Sequence, residues 1–197
     1  MVEKAISLGW DPGTVALHTH ACYYYSDEPT LRRSLQFIRD GLDVAEDLCV
    51  IFSDASRFDQ LKAWLQESYD GDVDALEARG KLAMIGGAPT MEALLARIGG
   101  RLDQGMAAGY SVIRFLGFIA WGEPGWPEDD TLLEFESKVN DVVTSYPAVI
   151  VCTYGVPKLG GNHLIYGGLQ THPTIWLDDR TVSDNPFYVP RGQTQAR

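Results

Sequence analysis

The chain has 197 residues, of which 45% are hydrophobic and 22% charged, a composition typical of one ordinary globular domain. Its formal net charge of −11 argues against a direct nucleic-acid partner, because phosphate contacts need a basic face. The sequence shows no basic amphipathic helix, no apolar run of membrane-spanning length and no signal peptide at its start. A cytoplasmic location away from membranes is therefore expected.

The chain is predicted to form a single domain over residues 14–190. Residues 1–13 are interpreted as a lead-in, with a turn signal in the sequence WDPG at 10–13. The polar end at 191–197 is predicted to be frayed.

A βαβ unit is predicted over residues 18–54. His20–Tyr25 is aromatic and β-prone, and Leu48–Phe52 is a continuous apolar run of the kind found in a strand covered on both faces. Apolar residues recur at mostly helical spacing between them, with Ser26 or Asp27 placed to cap the helix. Such a unit implies a parallel sheet.

The turn that begins this helix lacks the features of a phosphate site. In nucleotide-binding α/β proteins a glycine-rich loop bares backbone N–H groups at the positive end of the helix. Here the turn reads SDEPT, without glycine or lysine. Asp27 and Glu28 would repel a phosphate, and Pro29 removes one N–H donor. The pattern predicts a nucleotide-binding scaffold with its phosphate site disabled.

Helices and strands alternate through the rest of the chain. They are predicted as helix 56–68, weaker helix 73–79, strand 81–85, helix 90–108, strand 110–118, helix 129–144 and strand 148–154. The Gly- and Pro-rich loop Trp121–Pro127 carries two tryptophans that are expected to be exposed, and 155–190 is interpreted as loop, short helix and terminal strand or hairpin. This alternation predicts an α/β three-layer sandwich with a mostly parallel central sheet.

The three cysteines are interpreted as buried, reduced thiols. Cys22, Cys49 and Cys152 lie in apolar, strand-like runs, they are odd in number, and no CxxC motif occurs.

A metal site is one interpretation of His18, His20 and Cys22. These residues alternate, so on a strand their side chains would share one face, and imidazole and thiolate are ligands for zinc and other transition metals. His172 or Cys152 could complete the set. The alternative is a histidine held by hydrogen bonds where the strand begins, with no cofactor at all.

Arg114 lies inside an apolar run, and a buried guanidinium must be paired. Glu136 on the following predicted helix is the expected partner. The alternative is that Arg114 faces a ligand and recognises its carboxylate or other polar group.

A ligand pocket is predicted where Tyr25, Trp121 and Tyr154 end their strands. Parallel-sheet proteins bind ligands at the carboxyl ends of strands, and aromatic side chains gathered there would suit a small organic molecule. His172 could join the rim of this pocket or could only hydrogen-bond a turn. The alternative is that these aromatic residues only cap the core.

Enzymatic activity is not expected. The chain contains no GxSxG, HExxH or GxxxxGK[ST] motif, and no serine or cysteine stands next to an evident base. Asp129 and Asp130 are interpreted as charges at a helix N-terminus.

Several separated pieces of the chain resemble one known family. The pieces are HACYYY at 20–25 with the helix after it, YSVIR at 110–114, Trp121, Phe135-Glu136 with Asn140, CTY at 152–154, His172-Pro173 and NPFY at 185–188. Over about residues 18–190 they resemble the MEDS domain, the methanogen/methylotroph, DcmR-type sensory domain. The resemblance implies a RecA/KaiC-like, P-loop-type fold without a working P-loop, in agreement with the SDEPT turn.

The resemblance also implies a sensor of hydrocarbon derivatives or one-carbon molecules. The expected function is therefore a non-catalytic regulatory domain that binds such a ligand and signals to a kinase, anti-sigma factor or transcription factor. The residues expected to serve the ligand are His20, Cys22, Tyr25, Arg114, Trp121, Glu136, Tyr154 and His172.

Three alternatives stay open. The first is a degenerate ATPase kept as a docking or homo-oligomerisation module, with Trp126 and Phe187 exposed for contact. The second is a metal-binding sensor through His18, His20 and Cys22. The third is a residual nucleotide binder.

Overall fold

The computed structural model describes residues 5–9, 13–177, 180–182 and 184–190. Most of the predicted turn at 10–13 and the whole predicted tail at 191–197 lie outside the described residues. No helix within the described ranges combines the length and apolarity needed to cross a bilayer.

A seven-stranded sheet forms the centre of the domain, and a short antiparallel hairpin stands beside it. The strands are β1 (Ala5–Ser7), β2 (Thr14–Ala16), β3 (Thr19–Tyr25), β4 (Asp47–Ser53), β5 (Leu82–Gly86), β6 (Val112–Phe118), β7 (Ala148–Gly155), β8 (Thr174–Leu177) and β9 (Arg180–Val182). The sheet order is β5-β4-β6-β7-β3-β8-β9, parallel throughout except that β9 runs antiparallel to β8.

Helices cover both faces of this sheet. They are α1 (Glu28–Leu42), α2 (Phe58–Ser68), α3 (Val73–Ala78), α4 (Met91–Ala107), α5 (Leu132–Ser145) and a π-helix (His163–Leu169), with 3₁₀ turns at Ala55–Arg57 and Asp129–Thr131. One core contains residues of α1, α2, α3 and the β1–β2 hairpin, and the other contains residues of α4 and α5. The predicted three-layer α/β sandwich with a mostly parallel sheet is confirmed.

The predicted βαβ unit is present as β3, α1 and β4. Helix α1 presents Leu31, Leu35 and Ile38 to the core at helical spacing, and its N-cap is Asp27, one of the two predicted caps. Strand β4 is buried along its whole length, as a continuous apolar run requires.

The lead-in is more ordered than expected. Residues 1–13, predicted as an uncertain lead-in, contain β1. Strand β2 pairs antiparallel with β1, with Ala16 opposite Ala5 and Thr14 opposite Ser7. Strands of three residues are too short for their alternation to stand out in a sequence.

The tryptophans of the 121–127 loop are buried, so their predicted exposure is wrong. Trp121 is 3% exposed and Trp126 is 6% exposed, because the loop folds back and Trp126 packs on Phe52 with ring centroids 5.0 Å apart. Trp121 packs on Phe135 of α5 at 4.6 Å. Phe187, by contrast, is 61% exposed, as predicted.

The predicted partner of Arg114 is also wrong. Arg114 Nε donates to Asp47 Oδ2 at 2.6 Å, and Arg114 Nη1 donates to the carbonyl oxygens of Ser7 and Phe37. Glu136 belongs to the core on the opposite face of the sheet. Arg114 therefore forms an internal ion pair, which was the expected kind of contact, with a different acid.

Candidate functional site

The start of helix α1, where a nucleotide-binding protein would hold phosphate, is filled by the chain's own side chains. Asp27 Oδ1 accepts a hydrogen bond from the Thr30 amide at 2.9 Å, and Thr30 Oγ1 accepts from the amides of Ser26 and Asp27. The hydrogen bonds from Thr30 hold the pKa of the Asp27 carboxyl below its ordinary value, so the site carries a negative charge at neutral pH. The amides of Ser26, Asp27 and Thr30, which an anion at this turn would need, are already occupied.

We accordingly expect no measurable binding of ATP with Mg²⁺ to the purified protein. A phosphate at this turn would have to displace the Asp27–Thr30 hydrogen bonds and approach two carboxylates. Isothermal titration calorimetry checks this. A saturable heat of binding, or release of phosphate from ATP, would contradict it.

A cleft of about 430 Å³ opens at the carboxyl edge of the sheet. It is lined by residues that follow or end strands β3, β4, β6 and β7: Tyr25, Asp54, Ser56, Arg57, Ile119, Ala120, Trp121, Glu123, Pro124, Lys158 and Leu159. Parallel α/β proteins place their ligands in this position.

The cleft combines aromatic surface with charged groups. Burial raises the pKa of Tyr25, and the nearby Arg57 guanidinium opposes that shift. Asp54 accepts hydrogen bonds from the amide and hydroxyl of Ser56, which lower the pKa of its carboxyl and keep it ionised. Lys158 is exposed at the mouth of the cleft. The cleft therefore offers apolar walls, cations and acceptors to a small polar organic molecule.

Most of the residues predicted for ligand binding fall into two separate places. Tyr25 and Trp121 line the cleft, whereas Tyr154 joins a fully buried cluster in the core that contains α4 and α5. That cluster also holds His20, Glu136 and His172, with Cys152. Arg114 belongs to neither place.

The buried cluster is centred on the Glu136 carboxylate of α5. Its Oε1 accepts from Tyr154 Oη at 2.5 Å, and its Oε2 lies 3.5 Å from Cys152 Sγ, 3.4 Å from His20 Nε2 and 3.6 Å from His172 Nε2. Burial, followed by the Glu136 charge, raises the pKa values of Cys152 and Tyr154 well above their ordinary values.

Hydrogen bonds on the far side of each ring orient the two histidines. His172 Nδ1 lies 2.7 Å from the Gly168 carbonyl oxygen, an acceptor, so Nδ1 carries the proton. His20 Nδ1 lies 3.1 Å from Asn140 Oδ1, while the Asn140 amide donates to the carbonyl of Thr171. Burial lowers the pKa of His172 well below its ordinary value, and the nearby His20 lowers it further. With its proton on Nδ1, the neutral His172 ring has an unprotonated Nε2 that lies 3.6 Å from Glu136 Oε2.

The trio of His18, His20 and Cys22 does not come together as predicted. His18 precedes β3 in a turn, with a positive φ of 65°, and its Nδ1 lies 3.0 Å from the Val143 carbonyl oxygen. The group of donors that the structure does bring together contains neither His18 nor Cys22. The strict alternation needed to place His18 on the same face is lost because β3 begins at Thr19.

The charged residues of the cleft were not singled out from the sequence. Asp54 and Arg57 directly follow β4, and Lys158 follows β7. Their position after predicted strands was the available signal.

Comparisons with known proteins agree with this architecture. The model of the family described as "MEthanogen/methylotroph, DcmR Sensory domain" matches residues 19–173. A crystal structure of a KaiC-like protein from the hyperthermophilic archaeon Pyrococcus horikoshii OT3 is similar to 88% of this chain, over 80% of that chain, with a TM-score of 0.66 at 17% identity. That similarity shows a KaiC-like RecA fold. The curated proteins contain no match.

Proposed function

The chain belongs to the MEDS family of sensory domains, and from this premise we propose that it is a non-catalytic regulatory domain that binds a small organic molecule and signals to a partner protein. Family membership supports a regulatory sensing role. The identity of the ligand class and the place where it binds are our proposal.

The cleft at the carboxyl edge of the sheet is the observation that carries this proposal. Its volume of about 430 Å³ suits a small organic ligand. Tyr25 and Trp121 would contact the apolar part of the molecule, and Arg57 with Lys158 would bind an oxygen-bearing group such as a carboxylate, carbonyl or hydroxyl. A hydrocarbon derivative or one-carbon compound fits these contacts.

The 121–127 loop supplies a route from the cleft to the surface. Trp121 and Trp126 pack together with ring centroids 5.5 Å apart, and Trp126 Nε1 donates to Asp54 Oδ2 at 3.4 Å. Glu123 and Pro124 of the same loop are exposed. A ligand that displaces Asp54 or Trp121 would shift these exposed residues, where a partner could detect the change.

We expect the replacement Lys158→Gln to weaken ligand binding at least tenfold, because a charge-assisted hydrogen bond contributes about 1.5–3 kcal/mol. A panel of short alcohols, aldehydes, carboxylates and halogenated methanes is screened by thermal shift and tryptophan fluorescence, and the best binder is titrated into both proteins. Lys138→Gln is the matched control, since Lys138 pairs with Glu134 on α5 and does not line the cleft. No response to any compound would remove the support for ligand sensing.

A second candidate function is that of a docking module that needs no ligand. Ile165 and Tyr166 of the π-helix are 48% and 38% exposed, and Phe187 is 61% exposed on the segment that hydrogen-bonds to the end of this helix. Exposed apolar side chains favour contact with a protein, either a regulator or a second copy of this chain. Co-purification with a regulator in the absence of small molecules would favour this function.

A further inference from the structure

Four potential metal ligands from separate parts of the chain converge inside the core. They are His20 of β3, Glu136 of α5, Cys152 of β7 and His172, which follows the π-helix, and one donor atom from each lies within 4.8 Å of the others. Three of these side chains are 0% exposed and Cys152 is 3% exposed.

Four of the six separations between these donor atoms match the edges of a zinc tetrahedron, and the other two are within 4.8 Å. Zinc bonds to nitrogen, oxygen and sulfur are about 2.0–2.3 Å long, which gives tetrahedron edges of about 3.3–3.8 Å. His20 Nε2 lies 3.4 Å from Cys152 Sγ and 3.4 Å from Glu136 Oε2. Glu136 Oε2 lies 3.5 Å from Cys152 Sγ and 3.6 Å from His172 Nε2.

The histidine rings are oriented as metal ligands usually are. Each directs its Nδ1 to an oxygen acceptor outside the cluster, Asn140 Oδ1 for His20 and the Gly168 carbonyl for His172. Each Nε2 atom then lies on the side of the ring that faces the cluster. His172 Nε2 is a fully buried atom that lacks a hydrogen-bond partner among the described residues. Such an atom calls for an explanation, and a cation beside it provides one.

The charges of the cluster also fit a divalent ion. A buried carboxylate next to the unprotonated Nε2 of His172 is costly, because lone pairs face one another in a low-dielectric core. A divalent cation bound to the Glu136 carboxylate and the Cys152 thiolate gives a group with no net charge. Soft thiolate and imidazole ligands in a tetrahedral set select zinc over magnesium or calcium.

We propose that His20 Nε2, His172 Nε2, Cys152 Sγ and Glu136 Oε2 form a binding site for Zn²⁺. Four protein ligands leave no open position, which is typical of a structural rather than a catalytic zinc site. The ion ties β3, β7, α5 and the segment after the π-helix together. This inference goes beyond the proposed sensory function and does not depend on it. The four metal ligands also differ from the predicted trio of His18, His20 and Cys22.

The test begins with the full-length wild-type protein made metal-free with a chelator. Zn²⁺ alone is then added, and metal content is measured after desalting. We expect one zinc ion per chain and a higher melting temperature. Co²⁺ in place of Zn²⁺ is expected to give a thiolate-to-cobalt charge-transfer band and the visible absorption of tetrahedral cobalt.

Variants distinguish this site from any other. Cys152→Ser is expected to abolish the charge-transfer band, and His172→Gln to reduce zinc affinity more than 100-fold. Asn140→Ala removes no ligand but takes away the hydrogen-bond partner of His20 and the amide that donates to the Thr171 carbonyl, and it is expected to reduce zinc affinity 10- to 100-fold. Two control variants should bind zinc like the wild type. Cys49→Ser alters a buried thiol in the core that contains α1, and His18→Gln alters a residue of the predicted trio of His18, His20 and Cys22.

Two results would overturn the proposal. One is a folded wild-type protein that retains no Zn²⁺ after desalting. The other is stoichiometric zinc with an unchanged cobalt spectrum in Cys152→Ser and His172→Gln. The wild-type result stands whether or not the variants fold, and a flat response to the organic panel would leave this test unaffected.

Discussion

Replacing Asp47 with alanine is expected to lower the free energy of unfolding by about 3–5 kcal/mol, because it leaves the Arg114 charge buried without its acid. Arg114 is 4% exposed and Asp47 is 1% exposed, with Nε and Oδ2 only 2.6 Å apart. The two remaining acceptors of Arg114, the carbonyls of Ser7 and Phe37, do not neutralise a charge. Unfolding in guanidinium chloride measures the loss.

A double replacement and a surface control complete this experiment. Asp47→Leu with Arg114→Met removes both charges, and it should recover much of the stability that either single replacement loses. Arg32→Ala breaks contacts with Glu28 and Glu67 on the surface, and it should cost less than about 1 kcal/mol. Equal losses for Asp47→Ala and Arg32→Ala would contradict the importance of the internal pair.

The protein is expected to lose stability steeply above pH 9. Burial raises the pKa of Cys49 from 9.0 to about 12 and raises that of Cys22 well above 9.0. The unfolded chain releases these protons near pH 9 while the folded chain keeps them, so this stability is complete below pH 9 and falls as the pH rises toward the folded-state values. Each thiol contributes a slope of about 1.4 kcal/mol per pH unit.

Denaturant unfolding between pH 8 and pH 11 measures this slope. Cys49→Ala is the matched variant, since it removes one titrating thiol, and its slope should be smaller by one proton. Cys152 is left out of the count, because a bound metal ion would remove its proton. Parallel slopes for the wild type and Cys49→Ala would contradict the raised pKa of Cys49.

The central architecture could be predicted from the sequence because its signals are local. The apolar run of β4 and the helical spacing in α1 can be recognised within a few residues, as can the cap at Asp27. The MEDS resemblance and the RecA/KaiC-like fold were likewise confirmed by the family and structural comparisons. The SDEPT turn was interpreted from the chemistry of its side chains alone.

The partner of Arg114 could not be predicted in the same way. Strand β6 is buried on both faces, so its apolar run does not reveal which face Arg114 takes. Asp47 and Glu136 lie on opposite sides of the sheet, and only the three-dimensional packing chooses between them. The loop tryptophans pose a similar problem, because Gly and Pro indicate a loop without indicating where it packs.

The buried cluster was recognised residue by residue but not as a unit. Cys152 lies opposite Cys22 in the parallel pairing of β7 with β3, which places it on the face that His20 also takes. His172 reaches the same point only after the π-helix returns the chain toward the sheet. The pairing register and this return path depend on contacts between residues far apart in the sequence.

The capping of α1 is a local feature, so the fold of this domain does not depend on whether the start of α1 binds an anion. Asp27 and Thr30 satisfy the amides of Ser26, Asp27 and Thr30 with side chains that lie within residues 26–30. Side chains that fill an anion site at the start of α1 leave the strand order, the core and the carboxyl edge of the sheet unchanged. Local substitutions at this turn can therefore close an anion site on such a scaffold without changing the neighbouring cleft.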